Sequence, residues 1–416
     1  MSERLQAPRG TFDVLPQAAD ARARLEATAR RVLEGAGYRR IETPTFELTD
    51  VFARGVGEST DIVQKEMYTF DDGGGRSVTL RPEGTAPICR AYAEHGMHKL
   101  PQPVKLWYLS SFFRSEKPQA GRYRQFWQVG AEALGSDDPA VDAESIVLLA
   151  TLLEELEVKG TRLRISSLGT PGARAAYRRE LQDHLEQHID KLSGEVRERI
   201  KLNPLRAFDS DHPGTREVME TAPRLLEHIS AEDAEHFATV MELLDQAGVK
   251  YEVDTSLVRG LDYYTRTVFE FTSDALGAQS GVAGGGRYDG LVAQLGGPAT
   301  PGVGWAAGIE RMLLAAPAQP LAPPPVDLFV ALESTGARTA AFALAAEARR
   351  ARLHAQLELA GRSLKGQLKQ ADRLGARYVA IVGEDATVLK DMESGEQQDV
   401  AANEVVARIL KTRGLR

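Results

Sequence analysis

The sequence predicts an α+β protein in two parts: a large mixed domain carrying a helical insertion, then a small C-terminal α/β domain. Three observations point there. The chain has 416 residues, more than one hydrophobic core usually organises. Near its end, "APAQPLAPPPVD" (Ala316–Asp327) sets prolines at 317, 320, 323, 324 and 325, which forbid helix and favour stiff, extended backbone. The texture also changes inside the larger part. From Gly172 to about Gly248 it is charged and helical, while the flanks 38–165 and 251–311 are richer in glycine, aromatics and β-formers. The expected divisions are therefore 1–325, with an insertion at about 172–248, and 326–416.

Bulk properties narrow the class. Apolar residues make up 43% and charged residues 26% of the chain, ordinary for a globular protein. A net charge of -8 argues against indiscriminate coating of nucleic acid, yet leaves room for a nucleic-acid substrate held by a local basic patch. Residues 326–416 carry 14 Lys and Arg against 12 Asp and Glu, so the acidic excess lies before them. One cysteine, Cys89, rules out an internal disulfide and a multi-cysteine zinc site, and suits a reducing compartment. No apolar run approaches the roughly 20 residues of a membrane span, and "MSERLQAPRG" has no apolar signal core. A cytoplasmic protein with no membrane association is expected.

Several stretches in turn combine strand-like sequence with charge. In "LRPEGTAPICRAY" (80–92), Pro82 biases Arg81 to extended backbone, and Glu83-Gly84-Thr85 reads as a turn or helix start. In "SSFFRSEKPQAGRYRQFWQVGAEALG" (110–135), two strands flank a polar Pro/Gly loop, which predicts an antiparallel hairpin. Phe126, Gln128, Gly130 and Glu132 then share one face, and Arg114, Glu116 and Arg122 gather nearby. A solvated face with surface ion pairs is the competing reading. Arg114 directly after Phe112 and Phe113 sits poorly with it, because a cation beside buried aromatics wants a fixed anion.

Within the insertion, Phe237, Val240, Met241 and Leu244 recur on one helix face. "RGLDYYTRTVFEF" (Arg259–Phe271) reads as a strand whose first half carries Arg259, Asp262, Tyr263, Tyr264 and Arg266. "GVAGGGRYDGL" (281–291) puts Arg287 and Tyr288 behind glycines, as a tight turn or a backbone-lined pocket wall. "PGVGWAAGIERML" (301–313) reads as a glycine-rich strand running into a helix with Arg311. Its glycines serve either close ligand approach or tight strand–helix packing. Beyond the prolines, "VDLFVAL", "TAAFALAAEARRARL" and "LKGQLKQADRLGARYVAIVG" alternate as strand, helix, helix and strand, a small α/β domain.

Other chemistries are poorly served. G-x-G-x-x-x-G at Gly302, Gly304 and Gly308 misses the dinucleotide fingerprint, and there is no P-loop. His184 and His188 lack the H-E-x-x-H order of a zinc helix, there is no G-x-S-x-G elbow, and Cys89 reads as a small core residue. What stands out is arginine on predicted strands: 81, 114, 259, 266 and 287, with 311 behind its glycines. Such a set suits a polyanion such as a nucleoside triphosphate with Mg²⁺.

Taken together, these stretches resemble the class II aminoacyl-tRNA synthetases, and within them the histidyl-tRNA synthetase family. "GYRRIETPTFELTDVF" resembles motif 1, "RSEKPQAGRYRQFWQVGAE" motif 2 and "GVGWAAGIERML" motif 3. "RGLDYYTRTVFEF" and "AGGGRYDGL" resemble the two stretches particular to the histidyl enzymes, and "PRGTFDVLP" their opening. The resemblance spans nearly the whole chain. It implies a mainly antiparallel catalytic sheet binding ATP with Mg²⁺, an anticodon-binding C-terminal domain, an insertion that clasps the acceptor arm, and a homodimer joined through motif 1.

Carried over residue by residue, Arg114 would hold the α-phosphate, Arg311 the γ-phosphate, and Phe126 would stack on adenine with Glu116 near it. Arg259 would lie between the L-histidine carboxylate and the α-phosphate. Glu83, Thr85 and Gln128 would surround the α-ammonium, and Tyr264 and Glu132 would bond the imidazole nitrogens. Tyr263 and Tyr288 would close the pocket, with Asp262 and Arg266 behind them. The implied activity is ligation of histidine to tRNA(His) through a histidyl-adenylate. Two rivals compete: a regulatory relative that has lost catalysis, and a plain ATP- or nucleic-acid-binding module. Arg114, Arg259 and Arg311 and the chain's length oppose the first; the carboxylates Glu83 and Glu132 beside those arginines oppose the second.

Overall fold

The computed structural model describes residues 4–57, 60–201, 204–257, 261–277, 280–317 and 325–412. They fall into two compact units divided at residues 319 and 320. Most of the proline-rich stretch, 318–324, lies outside the described residues, and so does Arg259.

The first unit is organised by an eight-stranded sheet. Its strands lie in the order Arg39–Arg40, Val104–Phe113, Gln125–Leu134, Gly302–Gly308, Gly281–Arg287, Thr265–Ser273, Thr161–Ser167 and Glu252–Val253. Only the two outermost pairings are parallel. The sheet is mainly antiparallel, as expected. The predicted hairpin is present as two ten-residue strands, with Phe112 opposite Phe126 and Tyr108 opposite Gly130.

Strand alternation sends neighbouring side chains to opposite faces. Trp107, Val129, Ala131, Val303, Trp305 and Ala307 pack with the helices Pro16–Gly35, Pro139–Glu155 and Ala231–Gln246 in the main core. Residues between them on the same strands, Tyr108, Gln128, Gly130, Glu132, Gly304 and Ala306, belong to the other face, where the cleft opens. The stripe Phe237, Val240 and Leu244 lies in the main core, so this helix supports the sheet. The shorter helices Pro171–Gln187, Gly194–Arg199 and Pro213–Glu220 bury Tyr177, Leu181, Val196 and Val218 in a second core, which also holds Tyr108, Tyr264 and Tyr288. A three-stranded sheet, Phe46–Leu48, Ser77–Leu80 and Tyr68–Asp71, completes the unit.

The second unit is the predicted α/β domain. Strands Ala355–Leu357, Leu328–Leu332 and Tyr378–Val382 are parallel, and Thr387–Asp391 and Gln397–Asp399 add on antiparallel. Helices Arg338–Arg350, Leu364–Arg373 and Val405–Thr412 cover it. No helix among the described residues is long and apolar enough to cross a membrane.

Candidate active site

A cleft on the open face of the large sheet is lined by Glu83, Thr85, Arg114, Glu116, Phe126, Gln128, Tyr263, Tyr264 and Arg311. Nine of the twelve expected site residues thus share one cavity. Glu132 and Tyr288 lie directly behind it. Arg259, the twelfth, lies outside the described residues.

The cleft has two chemically different ends. At one end, Glu83 stands just before the helix Thr85–Glu94, and its carboxylate accepts the backbone N–H groups of Thr85 at 2.8 Å and Ala86 at 3.0 Å. The turn-or-helix-start reading is therefore met by a carboxylate capping orphan donors. Glu132 is fully buried and accepts from the Thr85 hydroxyl at 2.8 Å and the Tyr288 phenol at 2.5 Å. Burial pushes its carboxyl up to about 8, against the lowering by those two bonds. Burial also raises the Glu83 carboxyl and holds the phenols of Tyr108, Tyr263 and Tyr288 well above their usual range. Tyr263 packs on Tyr264 with ring centroids 4.7 Å apart, and edge-on to Tyr288 at 5.7 Å.

At the other end, Arg114 lies over the Phe126 ring at 5.3 Å and donates to the Pro82 carbonyl at 2.9 Å. Arg122 pairs with Glu116 at 3.4 Å. Arg311 donates to the carbonyls of Gly121 and Gly281. Its pKa is lowered by burial first and by the neighbouring Arg122 next. Three guanidiniums bonded chiefly to carbonyls and one shared carboxylate keep unspent positive charge for an anion.

The glycine runs make room for the pocket's own side chains. A Cβ on Gly304 would stand 1.8 Å from Glu132 Oε2, on Gly302 2.4 Å from the Tyr288 ring, and on Gly286 2.9 Å from the Tyr264 ring. Tyr108 was not singled out from the sequence. Its ring is wedged between Gly84 and Gly130, where a Cβ would approach to 2.6 and 2.3 Å. Tyr108 Oη and Gln128 Oε1 are buried at the cleft with no hydrogen-bond partner among the described residues. The available signal was the aromatic-opposite-glycine register, visible only once the hairpin is aligned.

Three of the arginines expected to face a polyanion do something else. Arg287 is fully buried and bound to Asp142 at 2.6 Å and Asp289 at 3.1 Å. Arg81 donates to the carbonyls of Ser111 and Thr43, both at 2.8 Å. Arg266 pairs with Asp233 at 2.8 Å and Glu232 at 2.6 Å. Tyr263 and Tyr264 also precede the strand they were read into, which starts at Thr265. The N-terminal segment braces the hairpin loop: Arg124 N–H donates to the Gly10 carbonyl at 2.8 Å, and Phe12 packs at a tilt against Tyr123, ring centroids 4.6 Å apart. Cys89 is buried in a core, as expected. His184 and His188 each bond a backbone carbonyl.

Comparison with known proteins gives the cleft its context. A family model for histidyl-tRNA synthetase matches residues 10–312, and one for an anticodon-binding domain matches residues 328–412. The chain is 46% identical over 407 residues to the histidine–tRNA ligase of Desulforamulus reducens, covering 96% of this chain and 97% of that one. It is 48% identical over 411 residues to that of Desulforudis audaxviator, covering 97% of each. Among solved structures, the apo histidyl-tRNA synthetase of Staphylococcus aureus superposes with a TM-score of 0.80 at 34% identity, covering 98% of this chain and all of that one. A Bacillus halodurans protein described as an ATP phosphoribosyltransferase regulatory subunit/histidyl-tRNA synthetase shares the fold at 22% identity, with a TM-score of 0.66. With both halves matched in order, this chain belongs to the histidyl-tRNA synthetase family.

Proposed function

We propose that the carboxylate-and-phenol end of the cleft binds L-histidine and the arginine end binds ATP, so that the two meet over Phe126 and Gln128. The overall reaction is ATP-dependent ligation of histidine to tRNA. A histidine carboxylate oxygen attacks the α-phosphorus and pyrophosphate leaves; the terminal ribose hydroxyl of tRNA then attacks the adenylate carbonyl and AMP leaves. Neither step needs a protein nucleophile, so positioning and electrostatics carry the rate.

In this reading Glu83, Thr85 and Gln128 receive the α-ammonium, and Glu132 and Tyr264 the two imidazole nitrogens, between Tyr263 and Tyr288. Arg114 takes the α-phosphate, Arg311 the γ-phosphate, and Phe126 the adenine, with Glu116 beside it. Arg259 bridges the two substrates' reacting groups. Magnesium arrives with the triphosphate as part of that substrate. A pocket built on hydrogen bonds to a substrate rejects analogues lacking them by about 10⁴–10⁵-fold, which fits an enzyme without an editing step.

Two features support a homodimer. The three-stranded sheet exposes Phe46 and Leu48 by 51% each and Phe70 by 45%, with Phe46 and Phe70 in edge contact at 6.1 Å. Phe46 and Leu48 belong to the stretch that resembles motif 1, Phe70 lies beside them on the strand Tyr68–Asp71, and a second copy is the patch's expected cover. A buried lone thiol supports a cytoplasmic location.

The observation that carries the reading is the separation of buried carboxylates and phenols from clustered guanidiniums within one cleft. Pyrophosphate exchange into ATP tests it. Exchange requires histidine, and Arg259→Ala lowers it by about 10²–10³-fold, the usual cost of deleting a transition-state donor. Undiminished exchange in that variant contradicts the role given to Arg259.

A further inference from the structure

The helix Ala231–Gln246 buries two polar residues one turn apart, and each is tied to a different wall of the cleft. His236 Nε2 lies 2.8 Å from Asp142 Oδ2, and Asp142 Oδ1 accepts from Arg287 Nη2 at 2.6 Å. Arg287 immediately precedes Tyr288, which bonds Glu132. Asp233 works on the opposite strand. Fully buried, it accepts the Thr170 N–H at 3.1 Å on one oxygen and Arg266 Nε at 2.8 Å on the other.

Arg266 is where the chain is strained. Its φ is +43°, a left-handed conformation that costs a branched-off side chain energy glycine would not spend. It lies in a β-bulge: Gly286 faces Val268, but Arg287 faces Thr265, leaving Arg266 and Thr267 unmatched. Backbone bonds from Arg266 N–H to the Gly169 carbonyl at 2.9 Å and from Leu168 N–H to the Arg266 carbonyl at 2.7 Å hold the bulge from the far side. Bulges beside sites re-aim the residues next to them. Here those residues are Tyr264, two positions upstream and seated against Gly286, and Tyr263 before it.

We propose that Asp233 is a positioning residue for histidine binding: by holding Arg266 in its bulge it aims Tyr263 and Tyr264 at the pocket, and by holding Thr170 it ties that aim to the start of the insertion. The inference rests on the reading that this pocket receives histidine. Asp233 touches no substrate, and it lies on the core side of the sheet. Its influence passes through the bulge.

The test is pyrophosphate exchange by the full chain carrying Asp233→Asn, Arg266→Gly or both. Glycine removes the guanidinium while easing the positive φ, so Arg266→Gly relieves backbone strain that Asp233→Asn leaves in place. Each single change raises the KM for histidine about tenfold or more, the usual effect of losing a buried charge-assisted bond. The KM for ATP stays within twofold, and the double variant is no worse than the poorer single one, because both changes break the same link. A histidine KM within twofold of wild type in the folded variants overturns the inference, whatever happens to melting temperature. So do additive effects, or an ATP KM that rises in step. Absence of histidine-dependent exchange in the wild-type chain instead overturns the pocket reading, and this inference with it.

Discussion

Glu132 and Arg311 are pushed toward neutrality by the same burial, at opposite ends of one cleft. At Glu132 desolvation outweighs two donated hydrogen bonds, and the carboxyl is held at about 8 rather than its usual 4.5. Linkage gives the sign. Between those values the folded chain keeps a proton that the unfolded chain releases, so stability falls as pH rises through the window and levels off above it. Glu132→Gln has no proton to lose. Its melting temperature, compared with wild type by calorimetry, should therefore gain on wild type from pH 5 to pH 8 and then run parallel; a constant difference across that range refutes the raised carboxyl. Glu132 was legible in the sequence because Phe126, Gln128, Gly130 and Glu132 alternate along one strand. Tyr108 was not, since nothing local distinguishes it from Trp107, and only the cross-strand register with Gly130 turns it toward the cleft.

At the scale of elements, the hairpin and the glycine strands explain each other. Trp107, Val129, Trp305 and Ala307 fill the core on one face. Glycines on the other face leave the depth into which Tyr108, Tyr264, Tyr288 and Glu132 fit. Gly130→Ala would place a methyl 2.3 Å from the Tyr108 ring and 2.7 Å from the Trp305 carbonyl, and the second contact is backbone that cannot swing aside. Overpacking of this kind costs about 1–3 kcal/mol. Histidine binding measured by titration calorimetry should weaken by about 10–100-fold, and unchanged affinity would show that Tyr108 does not shape the pocket.

Local elements were readable because their signals are local: hairpin length, alternation, a glycine strand running into a helix. The destinations of Arg266 and Arg287 were not. Their carboxylate partners Asp233 and Asp142 lie 33 and 145 residues away in sequence, and an arginine on a strand looks the same whether it faces a phosphate or a buried aspartate.

At the scale of the whole molecule, the family's two modules appear in order, one matched over residues 10–312 and the other over 328–412. The apolar patch of Phe46, Leu48 and Phe70 gives the proposed homodimer its own test. Phe46→Glu places a charge where a second copy would desolvate it, a cost of several kcal/mol. Sedimentation velocity should show the variant shifted from dimer toward monomer; a variant that sediments like wild type moves the interface elsewhere. Salt dependence belongs to this scale too. The chain carries -8 overall, so tRNA must be held by local basic surface, and its affinity should fall steeply between 50 and 200 mM salt in filter binding. A flat response would argue against phosphate contacts as the main source of affinity.

Whether the cleft's two ends have separate tasks is decided by the kinetics of pyrophosphate exchange in Arg311→Ala and Glu132→Gln. Losing one charged contact, or one buried hydrogen-bonding group, from a binding site costs roughly tenfold to a hundredfold. Arg311→Ala should raise the KM for ATP by about that factor with little change for histidine, and Glu132→Gln should do the reverse. Both variants raising both constants alike, or neither raising either, would contradict a cleft divided between imidazole and triphosphate.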